Sequence, residues 1–211
     1  MGDIIAYFST HGAQYAQLVA EHIGVSALAL GVAMLIAVPA GIACARWKTF
    51  DKIAVGASSI LRIIPSLAVL VICVPILGTG VTPAVIALSF LAIPPILVNT
   101  AVAFRGVPAD VLEAAWGMGM DSWRIFWTVR VPLAFPTAFA GIRTAASEVI
   151  ASATLASYIG GGGLGEIIFT GIGLMRTDLL VIGGASVALL SILCGACLGA
   201  VDKRMRRYEL V

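Results

Sequence analysis

Most apolar residues in this chain come in long runs free of charged residues. Ile23 to Ala45, Ile63 to Phe104 and Leu179 to Val201 contain no Asp, Glu, Lys or Arg. A helix needs about 20 apolar residues to cross about 30 Å of hydrocarbon, so the outer two runs each predict one span. The middle run is about twice that length and is interrupted by GTGVTP, Gly78 to Pro83. That is a turn signal, and it predicts two spans joined as a hairpin. A fifth run lies between Pro132 and Gly160, apolar apart from Arg143 and Glu148. The pattern predicts an all-α membrane protein with five transmembrane helices, at about 23–45, 55–77, 84–104, 135–158 and 179–201.

Composition agrees. The 211 residues are 60% hydrophobic and 11% charged, with a mean hydropathy of +1.05, against about 25% charged in soluble domains. A net charge of +2 implies no nucleic-acid partner. Cys44, Cys73, Cys194 and Cys197 lie inside apolar runs and read as small hydrophobes; the C-x-x-C of the last pair is embedded in helix rather than on the accessible turn a redox motif needs. Residues 1–22 carry Asp3 where a cleavable signal would be positive, and polar Ser9, Thr10 and His11 break the apolar stretch. With Tyr7, Phe8 and Tyr15 scattered among small residues, the segment reads as a short interfacial helix on the outer face.

Five spans place the termini on opposite sides. With the N-terminus outside, the inner segments hold Arg46, Lys48, Lys52, Arg105, Arg124, Arg130, Lys203, Arg204, Arg206 and Arg207, ten of the thirteen basic residues. Only Arg176 falls outside, while Arg62 and Arg143 lie within spans. The positive-inside rule therefore favours an outer N-terminus and a basic cytoplasmic tail at 202–211.

The inner loop at 105–132 is unlike its surroundings. Pro108, then Asp110 followed three residues later by Glu113, predicts a helix opened by a capping box. Gly117 and Gly119 predict a tight turn, Asp121 a cap for a second helix, and Pro132 the end of that helix. Ala114 and Ala115 leave one face bare, and Trp116, Trp123 and Trp127 offer large rigid contacts suited to a docking partner. The local pattern also fits a plainer role, in which Glu113 caps its own helix and the tryptophans mark the membrane interface.

Glu113-Ala114-Ala115, three residues, Gly119, nine residues, then Val129-x-Val131-Pro132 resembles the EAA signature of ABC-importer permeases, with valines where isoleucine and leucine are usual. Ile64-Pro65-Ser66-Leu67-Ala68, Pro94-Pro95-Ile96-Leu97 with Asn99-Thr100, Gly117-Met118-Gly119-Met120, and Ile159 through the glycines to Gly165 look like the glycine betaine, carnitine and choline branch. The glycine run is shared with methionine-importer permeases, and Val98 and Ala101 stand where that branch more often has arginine and an aromatic. The resemblance implies a type I importer transmembrane fold over 23–201 with a cytoplasmic coupling helix, in the bacterial cytoplasmic (inner) membrane. It implies a permease that is not an enzyme, carrying an osmoprotectant by alternating access. The implied partners are an ABC ATPase that binds ATP and magnesium, an extracytoplasmic substrate-binding protein, and a second permease, identical or homologous. No phosphate-loop motif GxxxxGK[ST] occurs in this chain, so no nucleotide cofactor is expected on it.

By that resemblance Glu113, Ala114, Ala115, Gly119, Val129, Val131 and Pro132 couple to the ATPase. Ionisable groups at membrane depth are functional candidates, and Arg62, Pro65, Ser66, Asn99, Arg143 and Glu148 are the candidates for a substrate pathway. Arg143 and Glu148 point about 140° apart on one helix and so need partners elsewhere. Glu148 is expected to face Arg62 or the pathway; Arg143 faces lipid or a second subunit, or is wet if its helix starts deeper in the cytoplasm. Gly160, Gly161, Gly162, Gly163 and Gly165 predict a sharp turn or gate at the outer end of that helix. Ser191, Gly195 and Gly199 predict close helix packing along the last span. A methionine-type permease and an ATPase-independent channel are alternatives; an intramembrane enzyme lacks a constellation, because His11 and His22 read as lying outside the apolar core.

Overall fold

The structure, a computed structural model, describes residues 2–206, with side chains placed from Tyr7 to Met205. Arg207 and the rest of the tail, and the side chain of Asp3, lie outside the described residues. Every regular element among them is helical: α1 (Gly2–Arg46), α2 (Lys48–Ile63), α3 (Ser66–Leu77), α4 (Val81–Arg105), α5 (Ala109–Gly117), α6 (Ser122–Ile125), α7 (Val131–Ala156), α8 (Gly165–Gly173) and α9 (Thr177–Arg206). A π turn, Phe126–Arg130, joins α6 to α7, and a 3₁₀ turn, Ser157–Ile159, follows α7.

The core is α4 held between α1 and α7. In lipid, burying apolar surface does not drive helices together, so close backbone approach through small residues must. Ala29, Ala33 and Ala37 of α1 are fully buried, as are Ala84, Ala87, Ala92 and Ala101 of α4 and Ala145 of α7. Two glycines set the distance. A Cβ on Gly41 of α1 would lie 2.6 Å from Thr100 Cβ, and one on Gly141 of α7 would lie 2.5 Å from Asn99 Cβ and 2.6 Å from the Pro95 carbonyl. Ser89 Oγ of α4 donates to the Ala29 carbonyl at 3.0 Å, a polar tie between the same helices.

Four described helices are long and apolar enough to cross a membrane: Tyr7–Arg46, Val81–Arg105, Ser122–Ile159 and Thr177–Met205. The expected straight span at 55–77 is instead the pair α2 and α3, bent by 96°, and it makes a fifth crossing when counted as one. The break sits at Ile64 and Pro65, both extended (ψ 123° and 136°), because the proline ring disfavours helical backbone in the residue before it. At 12 residues α3 is about 18 Å long, too short to cross alone. The expected turn after it is present, with Gly78 and Gly80 at positive φ.

Other expectations need correction. The break near the N-terminus falls at His11, a kink (φ −119°, ψ 16°), and not at residue 22: from there the helix continues without interruption into the first span. His22 is not outside the core but 1% exposed, its Nε2 3.0 Å from the Ile150 carbonyl of α7. Pro132 does not end a helix; the π turn takes up the hydrogen-bond mismatch, with Val131 N–H reaching back to Phe126 O, and the helical path continues into α7. Ser191, Gly195 and Gly199 form no tight seam, since a Cβ on Gly195 would meet nothing within 4 Å. The tight approach on α9 is at Gly183, where a Cβ would come within 2.5 Å of Ile168 of α8.

These contacts separate two glycines of equal appearance in sequence. Gly141→Ala is expected to lower stability by about 1–3 kcal/mol through overpacking, whereas Gly195→Ala is expected to stay within about 0.5 kcal/mol of the parent. Thermal unfolding of the detergent-extracted variants reads the difference.

Candidate functional sites

The surface module between α4 and α7 is rigidly built. Its N-cap is Pro108 with no side-chain hydrogen bond, so the expected capping box between Asp110 and Glu113 does not form. Glu113 is exposed and has no hydrogen bond or ion pair among the described residues, which removes the self-capping explanation. Ala114 is exposed beside it, and Ala115 is buried at 1%. The helix ends in a Schellman arrangement: Gly119 N–H donates to Trp116 O at 2.9 Å and Met120 N–H to Ala115 O at 3.2 Å. Gly119 has φ 77°, and nothing in the chain lies within 4 Å of the Cβ it lacks. The turn therefore needs glycine for its backbone, and the space over it is free.

Asp121 caps α6 as expected, its Oδ1 accepting from Arg124 N–H at 2.9 Å. Phe126 stacks on Phe104 of α4 at 5.9 Å and meets Trp127 edge-on at 5.1 Å, anchoring the module to the core helices. Val129 and Val131 are half-buried and Pro132 is exposed. Trp116 and Trp123 are 53% and 72% exposed, which leaves an open face rich in large side chains. Beneath the module Arg105 pairs with Asp51 and ties α4 to α2.

A second site lies in the angle of the bent pair. A cavity of about 350 Å³ is lined by Arg62, Pro65 and Ser66 from the bend, Leu91 and Pro94 from α4, and Glu148 and Ser152 from α7. The Arg62 guanidinium stands 4.0 Å from Glu148 Oε1, with both side chains partly exposed. Four of the six pathway candidates thus meet here. Asn99 does not: its amide donates to the Pro95 carbonyl of its own helix, and it packs under Gly141. Arg143 does not either; it reaches Asp202 near the end of α9, at 3.9 Å, with its side chain 47% exposed. Ser152 and Leu91 escaped the sequence reading, and Pro94 entered it only as part of a motif. Ser152 follows Glu148 by four residues, the spacing that puts both on one helix face.

The glycine turn is packed, not loose. Gly160, Gly162 and Gly163 have φ of 80°, 73° and 89°, a region closed to most L side chains. Gly163 N–H donates to Glu21 Oε2 at 3.2 Å, and Ser157 Oγ donates to Gly162 O at 2.6 Å. A Cβ on Gly161 would meet the Ala156 carbonyl at 2.8 Å, and one on Gly165 the Thr154 carbonyl at 2.1 Å. Gly80 N–H donates to Ile159 O at 2.8 Å, so the turn also holds the α3–α4 corner. It leads into α8, a short helix with no counterpart in the sequence reading.

Comparison with known proteins agrees with this architecture. Residues 37–207 match the family described as binding-protein-dependent transport system inner membrane component. The glycine betaine/carnitine/choline transport system permease OpuCB of Bacillus subtilis is 37% identical over 97% of this chain and 94% of its own length. The carnitine transport permease OpuCB of Listeria monocytogenes is 39% identical over the same shares. The osmoprotectant import permease OsmW of Salmonella typhimurium is 35% identical over 90% of this chain and 91% of its own. A MetNI methionine ABC transporter in an inward-facing conformation has the same fold, with a TM-score of 0.77 at 20% identity, covering 90% of this chain and 95% of that one. With its helical core and a family match that spans four-fifths of its length, this chain belongs to the inner-membrane components of binding-protein-dependent transport systems.

Proposed function

We propose that this chain is the permease subunit of an ATP-driven importer for a small quaternary-ammonium osmoprotectant such as glycine betaine, carnitine or choline. The observation that carries the reading is the helical path from Ser122 to Ile159, 38 residues that join the exposed module directly to Glu148 and the glycine turn. Force applied at Glu113 and Ala114 has a stiff route to the cavity at Arg62 and to the opposite end of the molecule. The π turn at Phe126–Arg130 is the compliant point on that route, since π segments have weaker hydrogen-bond geometry than the α-helix around them.

In this reading a cytoplasmic ABC ATPase, which binds ATP and magnesium, seats on Glu113, Ala114, Gly119 and the tryptophans. A second permease copy or homologue completes the pathway, and an extracytoplasmic binding protein delivers solute. Closing of the ATPases moves the module, α7 follows, and access alternates across the membrane. The chain itself does no covalent chemistry. The N-terminus lies outside and the tail in the cytoplasm of a bacterium, which the crowding of basic residues on one side supports. Identities of 37–39% to carnitine and glycine betaine permeases, against 20% to the methionine transporter, favour the osmoprotectant over an amino acid. An ATPase-independent channel would leave the exposed Glu113 and Ala114 without a purpose.

Glu113→Lys is expected to insert and unfold like the parent, yet to lose the co-purifying ATPase and cut uptake by about 30-fold or more, as reversing a charge at an interface costs about 2 kcal/mol or more. Labelled-solute uptake and a pull-down measure both; full uptake with no ATPase attached defeats the coupling role and leaves the channel standing.

Glu148→Gln separates structure from transport. A partly exposed ion pair contributes about 1 kcal/mol or less, so the variant is expected to keep its thermal stability and its ATPase while uptake falls by about tenfold or more. Unchanged uptake would return Glu148 to a structural role.

A further inference from the structure

A cavity of about 560 Å³ opens between the end of α1 and the surface module. Its charged lining residues are Arg46 and Arg130, both exposed, and no ion pair among the described residues reaches either. No carboxylate lines it. The Ser122 hydroxyl and the faces of Trp116, Trp123 and Phe126 complete the walls. Two guanidiniums that meet no carboxylate, Arg46 lying over the Trp47 ring at 6.0 Å, present several N–H donors to a tetrahedral anion on one concave surface, and guanidinium is the side chain best matched to phosphate.

Position decides which phosphate. Arg46 is the last residue of α1, and Arg130 immediately precedes α7, so both stand where spans leave the apolar layer. Leu133, in the first turn of α7, is 43% exposed, and Trp127 51%, as expected of side chains facing acyl chains and headgroups. Aromatic walls suit a glycerol backbone and the first methylenes better than a fully hydrated free ion. Basic pockets between helices on the cytoplasmic side are a recurring seat for anionic headgroups. The motif residues Glu113, Ala114 and Gly119 do not line the cavity, whereas Trp116 and Trp123 do, so it borders the face assigned above to the ATPase and shares those two rings with it.

We propose that this cavity is a specific site for an anionic phospholipid, whose phosphate Arg46 and Arg130 hold together. Bound there, the lipid bridges the end of α1 to the π turn, the compliant point in the path to α7. The proposal does not depend on which solute is carried.

The test is native mass spectrometry of the purified full-length permease, with whatever subunits accompany it, titrated with phosphatidylglycerol. Phosphatidylcholine of the same chains and a large excess of inorganic phosphate are the comparison arms. One phosphatidylglycerol is expected to stay bound where phosphatidylcholine does not, and phosphate is expected not to displace it. Arg46→Gln or Arg130→Gln should each weaken retention about fivefold and the pair about 30-fold, the fold-change that about 1 kcal/mol per basic group near an anionic surface corresponds to. Arg46→Lys with Arg130→Lys should keep most of it, and the single variants carry the test if the double glutamine variant does not fold. Retention unaffected by the glutamines overturns the site. Displacement by phosphate overturns the lipid source, and loss of a co-purifying ATPase with lipid retained makes the cavity a protein seat instead.

Discussion

Everything in this structure depends on how closely three backbones approach. Gly41 lets α1 lie against Thr100 and Leu97 of α4, and Gly141 lets α7 lie against Asn99 and Pro95 on the same helix. Between membrane helices there is no water to expel, so contact must come from packing itself, and packing is won where the side chain is smallest. Alanines at every fourth position of α1, residues 29, 33 and 37, extend the same logic along the seam. The outcome is a stiff three-helix core, to which the bent pair, α8 with α9, and the surface module attach.

That stiffness gives the two polar sites meaning. The cavity at Arg62 and Glu148 is bounded on one side by α4 and α7, which are fixed to each other, and on the other by a bend whose Ile64 and Pro65 are outside any helix. A rigid wall facing a hinge is an arrangement that changes volume when the hinge moves. The glycine turn at the far end is tied to α1 through Glu21 and to the α3–α4 corner through Gly80. Movement of α7 therefore reaches α1 and the bent pair at once.

The spans and the exposed module were legible in the sequence because each rests on a local rule. Charge-free length announces a crossing helix, and Asp121 three residues before Arg124 announces a cap that the structure forms. What was not legible depended on context. An apolar run has the same composition straight or bent, so the break at Pro65 was hidden inside residues that hydropathy treats as one span. Pro132 looked like a terminator because a proline removes one α-type bond, but a π turn just before it changes which bond is due. His22 looked peripheral from its polar neighbours, and its burial was decided by α7 arriving 128 residues later to offer the Ile150 carbonyl. Arg143 and Glu148 were rightly separated by helical geometry, and Arg62 of α2 stands near Glu148 as expected, yet the partner of Arg143 lay on α9, which no spacing rule could supply.

The charges also sort by purpose once their neighbours are known. Arg105, the last residue of α4, pairs with Asp51 of α2, and Arg143, midway along α7, reaches Asp202 near the end of α9, so both pairs join separate helices. Arg62 and Glu148, at 4.0 Å, are as loose as Arg143 with Asp202 at 3.9 Å, and they differ from it in the cavity that lies against them. An ion pair that is loose and beside a cavity exchanges partners at little cost when an ion or a dipolar solute enters, because the attraction given up is offset by the one gained. A tight pair such as Arg105 with Asp51 would resist the same exchange. What separates the pair at the bend from the other two is therefore the cavity beside it, with Ser66 and Ser152 also on the wall.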